Sequence, residues 1–204
     1  MFSSESWAIG MNTPRLETER LILRKFTVRD IAALYTILKD EDVNTFLPWF
    51  PLKNIGEAKD VFETEYAAEY AKPRAYAYAI CLKQDNQPIG YMKVDMADGH
   101  DFGYGLRKEF WHRGIAAEAG RAVIEQVKKD GIPFITATHD VNNPRSGGVM
   151  RKLGMTYQYS YEEQWQPKNI LVLFRMYQLN FDGNYGVFKK YWNASAVHFV
   201  ETGV

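Results

Sequence analysis

The sequence is poor in the features that most directly assign a protein to a functional class. Its single cysteine, Cys81, has no partner for a disulfide within the chain, which is typical of proteins from a reducing compartment. The 25 lysines and arginines balance the 25 aspartates and glutamates, so no basic surplus indicates a nucleic-acid partner. No apolar run approaches the roughly 20 residues of a membrane span, and no polybasic run indicates a membrane surface.

Signals for metal binding and for export are also missing. The four histidines include no pair spaced for one helix face and no cysteine partner, so no metal site is expected. Residues 1–14 lack the basic and apolar regions of a signal peptide, which predicts a cytoplasmic protein. At 204 residues the chain is long enough for one well-packed domain, and no Ser/Gly linker divides it.

Hydrophobic patterning predicts strands and helices in a mixed order. Strands are expected at 20–26, 75–82, 88–95, 101–106, 134–140, 156–165 and 170–179. Helices are expected at about 31–38, 55–71, 114–129 and 143–153. This order, α/β in the middle and β–β at the end, predicts one mixed-sheet domain of the α/β (α+β) class.

The stretch "FWHRGIAAEA" at 110–119 is the first candidate for function. A helix that begins at Gly114 leaves its first N–H groups without intrahelical acceptors, at the positive end of its dipole. Glycine and alanine would let a phosphate reach those groups without meeting a side chain. On spacing alone, a phosphate site and a tightly packed helix start are equally good interpretations.

A second motif favours the first of these interpretations. "NNPRSGGVMRKLGM" at 142–155 follows one helix and one strand later, and "RLETERLILRKFTVRD" at 15–30 covers the first predicted strand and the start of the first predicted helix. Together the three segments resemble the GNAT superfamily of acyl-CoA-dependent N-acetyltransferases. They are most similar to the RimJ/RimL branch, which acetylates the N-termini of ribosomal proteins. The resemblance extends from about residue 15 to residue 179.

The resemblance implies a GNAT domain over 15–180, with a strongly twisted, mostly antiparallel sheet flanked by helices. Its fourth and fifth strands splay apart, and the pantetheine arm of acetyl-CoA lies in the gap. Transferred to this sequence, the family's cofactor-binding positions are Tyr104, Gly105, Leu106, Trp111, His112, Arg113, Gly114, Ile115, Ala116, Ala117, Asn143 and Ser146.

The same resemblance implies direct attack of an amine on the thioester, without a metal. The backbone N–H near Leu106 is expected to polarise the acetyl carbonyl. Met150 stands where many relatives have a tyrosine that protonates the departing thiolate. Methionine cannot supply a proton, so Ser146 is expected to stabilise the sulfur, with water and backbone N–H groups as the alternative.

The base that accepts the proton of the amine is expected on the penultimate strand. Glu162 is the first candidate and Glu163 the second, although ordinary surface carboxylates would look the same in the sequence. His139, at the end of the fifth strand, is a lesser candidate. A histidine that is simply hydrogen-bonded near a strand end would also fit that position.

The sequence leaves the identity of the acceptor amine open. Deprotonation at pH 7 costs about 1.4 kcal/mol for an α-amine and about 4.6 kcal/mol for a lysine, which favours a protein N-terminus. The alternatives are a small molecule, such as an antibiotic or a polyamine, and a catalytically silent acyl-CoA-binding protein. A cleft strongly lined with carboxylates would favour a polycationic molecule.

Aromatic residues outside the motifs predict packing surfaces. Tyr157, Tyr159 and Tyr161 are expected on one strand face, in the core, and Trp49 in the loop "FLPWFP" is expected at the acceptor cleft. The aromatic-rich extension 181–204 is expected to pack on the domain or on a partner subunit, and the second arrangement would form a homodimer.

Overall fold

Two sheets stand side by side in the computed structural model, which describes residues 12–183 and 186–204. The first is antiparallel in chain order: β1 Leu16–Glu17, β2 Leu21–Arg24, β3 Tyr76–Leu82, β4 Pro88–Val94 and β5 Phe102–Leu106. The second has the order β6–β8–β7–β9, with β6 Phe134–Asp140, β7 Thr156–Trp165, β8 Ile170–Asn180 and β9 His198–Phe199. Of the N-terminal stretch used to predict the compartment, residues 1–11 lie outside the described residues.

Helices cover both faces of this arrangement. Their bounds are α1 Ile31–Leu38, α2 Glu41–Asn44, α3 Ile55–Val61, α4 Ala68–Tyr70, α5 Ile115–Lys129, α6 Pro144–Lys152 and α7 Lys190–Ala194. Between α3 and α4 the chain is π-helical over Phe62–Ala67, so the helix predicted at 55–71 is continuous but not uniform. The predicted α/β class is confirmed.

Alternation along β3 explains the two layers. Tyr76, Tyr78 and Ile80 point into a core shared with α5 and α6, whereas the small side chains Ala77 and Ala79 face the core under α1 and α3. Both faces of the strand are buried. Cys81 belongs to the second core as a small buried hydrophobic residue.

The two sheets are joined just before β5 begins, and they diverge beyond this junction. Asp101, just before β5, forms a parallel bridge with Thr136 in β6. Thr136 also donates its backbone N–H to the carbonyl of Gly99 at 3.2 Å and its hydroxyl to the same oxygen at 2.8 Å. Beyond this junction β5 and β6 are in separate sheets, as the splay implied by the resemblance requires.

The expected tyrosine row is only partly correct. A register shift between Tyr157 and Tyr159 places Tyr157 opposite Tyr177 and Tyr159 opposite Met176, so these two tyrosines face opposite sides. Tyr159 and Tyr161 are buried on one face, and Tyr157 packs on the other. The bulge adds one residue, which the strict two-residue alternation did not anticipate.

The C-terminal segment lies on the second sheet. Phe188, Tyr191 and Trp192 pack on the cluster that contains Tyr159 and Tyr161. Strand β9 pairs with the outer edge of β7, so its backbone groups satisfy that edge.

Candidate functional site

A cavity of about 1360 Å³ occupies the gap between the two sheets. Tyr91 in β4 lies opposite Gly105 in β5. On either side of this pair, the Asp101 carbonyl and the Arg107 N–H are hydrogen-bonded to β4 or the loop after it, so the odd-numbered residues of β5 are the ones that bond in this direction. Because antiparallel pairs alternate, the backbone groups of Tyr104 and Leu106 must face the gap instead. By the same alternation those of Gly105 face β4, so Gly105 lines the cavity without offering its backbone.

Strand β6 presents a matching edge. Its hydrogen bonds to β8 continue at Val141, whose N–H donates to the Leu173 carbonyl at 3.0 Å. The alternation therefore turns the backbone of Thr138 toward the gap. Two strand edges with N–H and C=O groups thus face each other across the cavity, an arrangement suited to an extended ligand that carries amides.

Helix α5 opens onto the mouth of this gap. Gly114 is its N-cap, with φ 73°, a left-handed conformation that glycine adopts without strain. A Cβ at Gly114 would have only the Arg20 guanidinium within 4 Å, at 3.8 Å, so the approach to the first turn is open. Glu118 fixes the helix start from behind through an ion pair with Arg20 at 2.6 Å. The free N–H groups of the first turn make this end of the cavity attractive to anions.

Helix α6 provides a second N-terminus beside the gap. The Asn143 side chain caps it, accepting from the Ser146 N–H at 3.4 Å and donating to Ser146 Oγ at 3.0 Å. Tyr104 reaches across from β5 and donates its hydroxyl to the Ser146 carbonyl at 3.0 Å. Asn143 and Ser146 therefore have a capping role in addition to lining the cavity.

Trp111 connects the loop before α5 to β5. Its indole Nε1 donates to the Leu106 carbonyl at 2.8 Å, and the Arg145 guanidinium lies 5.4 Å from its ring centroid. The Leu106 carbonyl is thus already hydrogen-bonded, which leaves its N–H as the group directed at the gap. Arg145, which the sequence analysis did not single out, places a cation at the cavity mouth.

Beside the loop that follows α2, the cavity is lined by aromatic residues. Trp49 is 42% exposed, and its indole N–H donates to Asn44 Oδ1 at 3.1 Å. Lys168, in the turn between β7 and β8, donates to the Asn44 carbonyl at 2.8 Å and so connects the second sheet to this loop. Trp165 and Phe174 also line the cavity, with ring centroids 4.8 Å apart.

Asp101 is the most unusual titratable group of the cavity. Its Oδ1 is buried and has no hydrogen-bond partner among the described residues. Burial, together with the negative charges of Asp95 and Glu163, raises the pKa of Asp101 to about 7. A carboxylate at the start of the strand that leads into the first motif was visible in the sequence, but its burial was not.

His139 lines the cavity, and a backbone contact at Nδ1 fixes its ring. It is 4% exposed, and its Nδ1 lies 2.7 Å from the Asp140 carbonyl, so Nδ1 carries the proton and donates it. Burial lowers the pKa of His139, which keeps the ring neutral at pH 7. Its Nε2 packs so closely on Gly147 that a Cβ there would lie 2.5 Å away.

Most of the predicted cofactor positions come together around this cavity. The lining includes Tyr104, Gly105, Leu106, Trp111, His112, Gly114, Ile115, Ala116, Ala117, Asn143 and Ser146. Arg113 is not among the lining residues, and its guanidinium lies 5.5 Å from the Phe110 ring centroid. Met150 also lines the cavity but is almost completely buried in the core.

The two glutamates predicted as bases do not line the cavity, whereas His139, the third candidate, does. Glu162 is absent from its lining and lies on the strand face opposite to that of Tyr161, because successive side chains alternate. Its carbonyl accepts from Ser195 Oγ at 2.8 Å, at the outer edge of β7. Glu163 is exposed and also absent from the lining, although its charge acts on Asp101.

Two further properties concern the part of the chain that the structure describes. No three His, Cys, Asp or Glu side chains within 12–183 and 186–204 are grouped closely enough to hold a metal ion. In the same ranges, every helix is too short or too polar to cross a membrane.

Comparison with known proteins agrees with this geometry. Residues 20–156 match the family described as the Acetyltransferase (GNAT) domain. The chain is 27% identical over 159 residues to the uncharacterized N-acetyltransferase YoaA of Bacillus subtilis (strain 168), which covers 73% of this chain and 89% of that protein.

Solved structures show the same fold. The microcin C7 self-immunity acetyltransferase MccE, in complex with acetyl-CoA and AMP, superposes with a TM-score of 0.71 at 17% identity, covering 80% of this chain and 93% of that one. The ribosomal L7/L12 alpha-N-protein acetyltransferase RimL, in complex with coenzyme A, gives a TM-score of 0.68 at 19% identity, covering 84% and 100%. Since the family match spans most of the sequence, the chain belongs to the GNAT acetyltransferases.

Proposed function

We propose that this acetyltransferase moves the acetyl group of acetyl-CoA to a primary amine by direct attack, with a protein N-terminal α-amine as the acceptor. The observation that carries the proposal is the pair of strand edges that face each other across the cavity, with the open N-terminus of α5 at its mouth. An extended chain with two amides and a diphosphate at one end satisfies both features.

The cofactor contacts follow from which groups are available. Backbone groups of Tyr104 and Leu106 would pair with the pantetheine amides, since they face the gap. The first turn of α5, from Gly114 onward, would hold the diphosphate, with Arg145 adding a cation at the mouth. Each charge-assisted hydrogen bond of this kind contributes about 1.5–3 kcal/mol. Asn143 and Ser146 would face the arm from α6.

Catalysis requires a polarised carbonyl, a neutral amine and alignment of the two. The resemblance implies a backbone N–H donor near Leu106, and the gap-facing N–H of Tyr104, on the Asp101 side of Leu106, would polarise the carbonyl. Ser146 Oγ already accepts from Asn143 and keeps its own proton available, so it would donate to the departing sulfur. Holding both reactants in one narrow gap supplies much of the rate enhancement.

A protein N-terminus is a suitable acceptor in two respects. Its α-amine titrates near ~8, so it requires a weaker base than a lysine does. Trp49 lines the cavity and is 42% exposed, so the cavity reaches the surface beside this loop, which Lys168 contacts at the Asn44 carbonyl. The similarity to RimL, named for a ribosomal protein N-terminus, supports this choice within a shared fold.

A small polycationic amine is the second candidate, because carboxylates outnumber basic groups at the Asp101 end of the cavity. Glu65, Glu69, Asp95 and Asp101 line it, and Lys93 is a basic residue there, already paired with Glu65 at 3.0 Å. A ligand with two or more ammonium groups would be attracted to this end.

The test is an acceptor panel read out as release of free coenzyme A thiol from acetyl-CoA. Peptides with different first residues, spermidine and an aminoglycoside are compared at pH 7.5, with N-terminally blocked peptides as matched controls. Turnover with free but not blocked peptides supports the first candidate, and turnover with the polycations alone supports the second. Tight binding of acetyl-CoA without thiol release for any amine would refute transfer and leave a silent acyl-CoA-binding protein.

A further inference from the structure

Asp101 marks the closed end of the gap. Its carbonyl accepts from the Asp95 N–H at 2.9 Å on one side, and on the other side it forms the bridge to Thr136 that joins the sheets. Strand β5 begins at the next residue and runs away from the junction, toward Gly114. Strand β5 rises about 16 Å between Asp101 and Leu106, so a ligand that enters at Gly114 and lies along β5 extends toward Asp101.

The side chain of Asp101 lines the cavity and has no counter-ion among the residues that the structure describes. Its Oδ1 is buried without a hydrogen-bond partner in the described ranges. The groups that face it are Asp95 from the loop after β4, Glu163 and Tyr161 from β7, and Tyr191 from α7. All of these are acidic or neutral, so a cation placed there would relieve their mutual repulsion.

The raised pKa of Asp101 suits it to accept a proton from an ammonium group. Burial, and then the charges of Asp95 and Glu163, raise its pKa to about 7. An α-ammonium group titrates near ~8, so proton transfer to Asp101 is uphill by only about one unit, against about four for an ordinary aspartate. A base whose pKa lies near the operating pH is the most effective, and a pKa of about 7 meets this condition at neutral pH.

We propose that Asp101 is the catalytic base of the acetyl transfer: its carboxylate binds the acceptor as an ammonium ion at the closed end of the gap and removes one proton. This inference rests on the proposed function and deepens it, because it assigns a residue that accepts the proton. It also defines the acceptor class as amines that arrive protonated.

The proton and electron balance is complete within the reactants. The ammonium gives one proton to Asp101, leaving a neutral amine and a carboxylic acid. The nitrogen lone pair then forms the N–C bond to the acetyl carbon while the C–S bond breaks, with its electron pair remaining on sulfur. The second nitrogen-bound proton neutralises the thiolate, and Asp101 returns its proton to solvent.

The central experiment measures the pH profile of kcat/KM for Asp101→Asn with the best acceptor of the panel. We expect a loss of about 10²-fold or more at pH 7, the usual contribution of a general base. We also expect the wild-type acid limb near pH 7 to disappear, and Asp101→Glu to restore part of it. The matched control is Asp98→Asn, an exposed carboxylate in the same loop that does not line the cavity, and it should keep the wild-type profile.

Two further measurements keep the inference falsifiable if a variant folds poorly. In the wild-type protein, an Asp side-chain carboxyl ¹³C resonance should titrate near pH 7, and it should be absent from the Asp101→Asn spectrum. Calorimetry should show coenzyme A binding unchanged in that variant, since Asp101 lies far from the diphosphate end. Titration of Asp101 near pH 4, or a variant within threefold of wild type with its acid limb intact, would overturn the assignment.

The competing carboxylates give a direct comparison. Loss of the acid limb in Glu163→Gln or Glu162→Gln, with Asp101→Asn unimpaired, would transfer the role to β7 and refute this inference alone. A wild-type protein that releases no thiol with any amine would instead refute the proposed function, and the inference with it.

Discussion

The carboxyl group of Asp101, whose Oδ1 is buried without a partner among the described residues, should make the folded protein less stable as the pH rises. The pKa of Asp101 is about 7 in the folded chain, owing to burial and to the charges of Asp95 and Glu163. In the unfolded chain an aspartate titrates near ~3.9. Between these values the folded state holds a proton that the unfolded state has released, so the free energy of unfolding falls with increasing pH.

The magnitude follows from the two pKa values. Linkage gives 1.36 kcal/mol per pH unit where the protonation states differ, which amounts to about 3 kcal/mol between pH 5 and pH 8. Asp101→Asn removes this contribution, because an amide does not ionise. We therefore expect the free energy of unfolding of the variant, relative to wild type, to increase by about 3 kcal/mol over that interval.

The assay is urea unfolding followed by tryptophan fluorescence, with the wild type, Asp101→Asn and Asp98→Asn each measured at pH 5, 6, 7 and 8. Comparing variants cancels the titration of all other groups to first order. Asp98 is exposed, so its replacement should give a difference that does not change with pH. A flat difference for Asp101→Asn as well would refute the claim that this carboxyl is buried and unpaired.

Three other substitutions test the remaining parts of the site. Gly114→Asp should weaken coenzyme A binding at least tenfold by calorimetry, through charge and a strained left-handed backbone, whereas Gly131→Asp, with φ 81° at the other end of α5, should not. Lys168→Met should raise the acceptor KM roughly three- to tenfold with little change in kcat, because it removes the 2.8 Å bond to the Asn44 carbonyl; an unchanged KM would contradict that role. Arg145→Ala should lower coenzyme A affinity a few-fold and flatten its salt dependence, and an unaltered salt slope would remove Arg145 from the diphosphate site.

The parts of the site built from local sequence were predictable. Gly114 and Asn143 each start a helix, and a helix start depends on a few neighbouring residues, so glycine, proline and capping patterns placed both. The main strands were predictable for the same reason, since alternation is a property of each segment.

The parts of the site that depend on contacts between distant residues could not be predicted from the sequence. The burial of Asp101 depends on contacts with Thr136, β7 and α7. The sequence around Asp101 does not predict these contacts, because the residues that make them are distant in the chain. Lys168 and Asn44 are 124 residues apart, so their hydrogen bond leaves no local trace. Glu162 is different: its neighbour Tyr161 is buried facing the other way, and strict alternation alone would have argued against a shared site.

Although the net charge of the chain is zero, the two ends of its cavity carry charges of opposite sign. Arg145 and the helix N-terminus at Gly114 attract anions at one end, while Asp95 and Asp101 attract cations at the other. The ends are separated by the length of β5, about 16 Å, which exceeds the ~8 Å Debye length at physiological salt. The two fields therefore do not cancel for a ligand at either end. An anionic donor and a cationic acceptor would each be attracted to a different end, and a donor in the reversed direction would place its diphosphate against carboxylates.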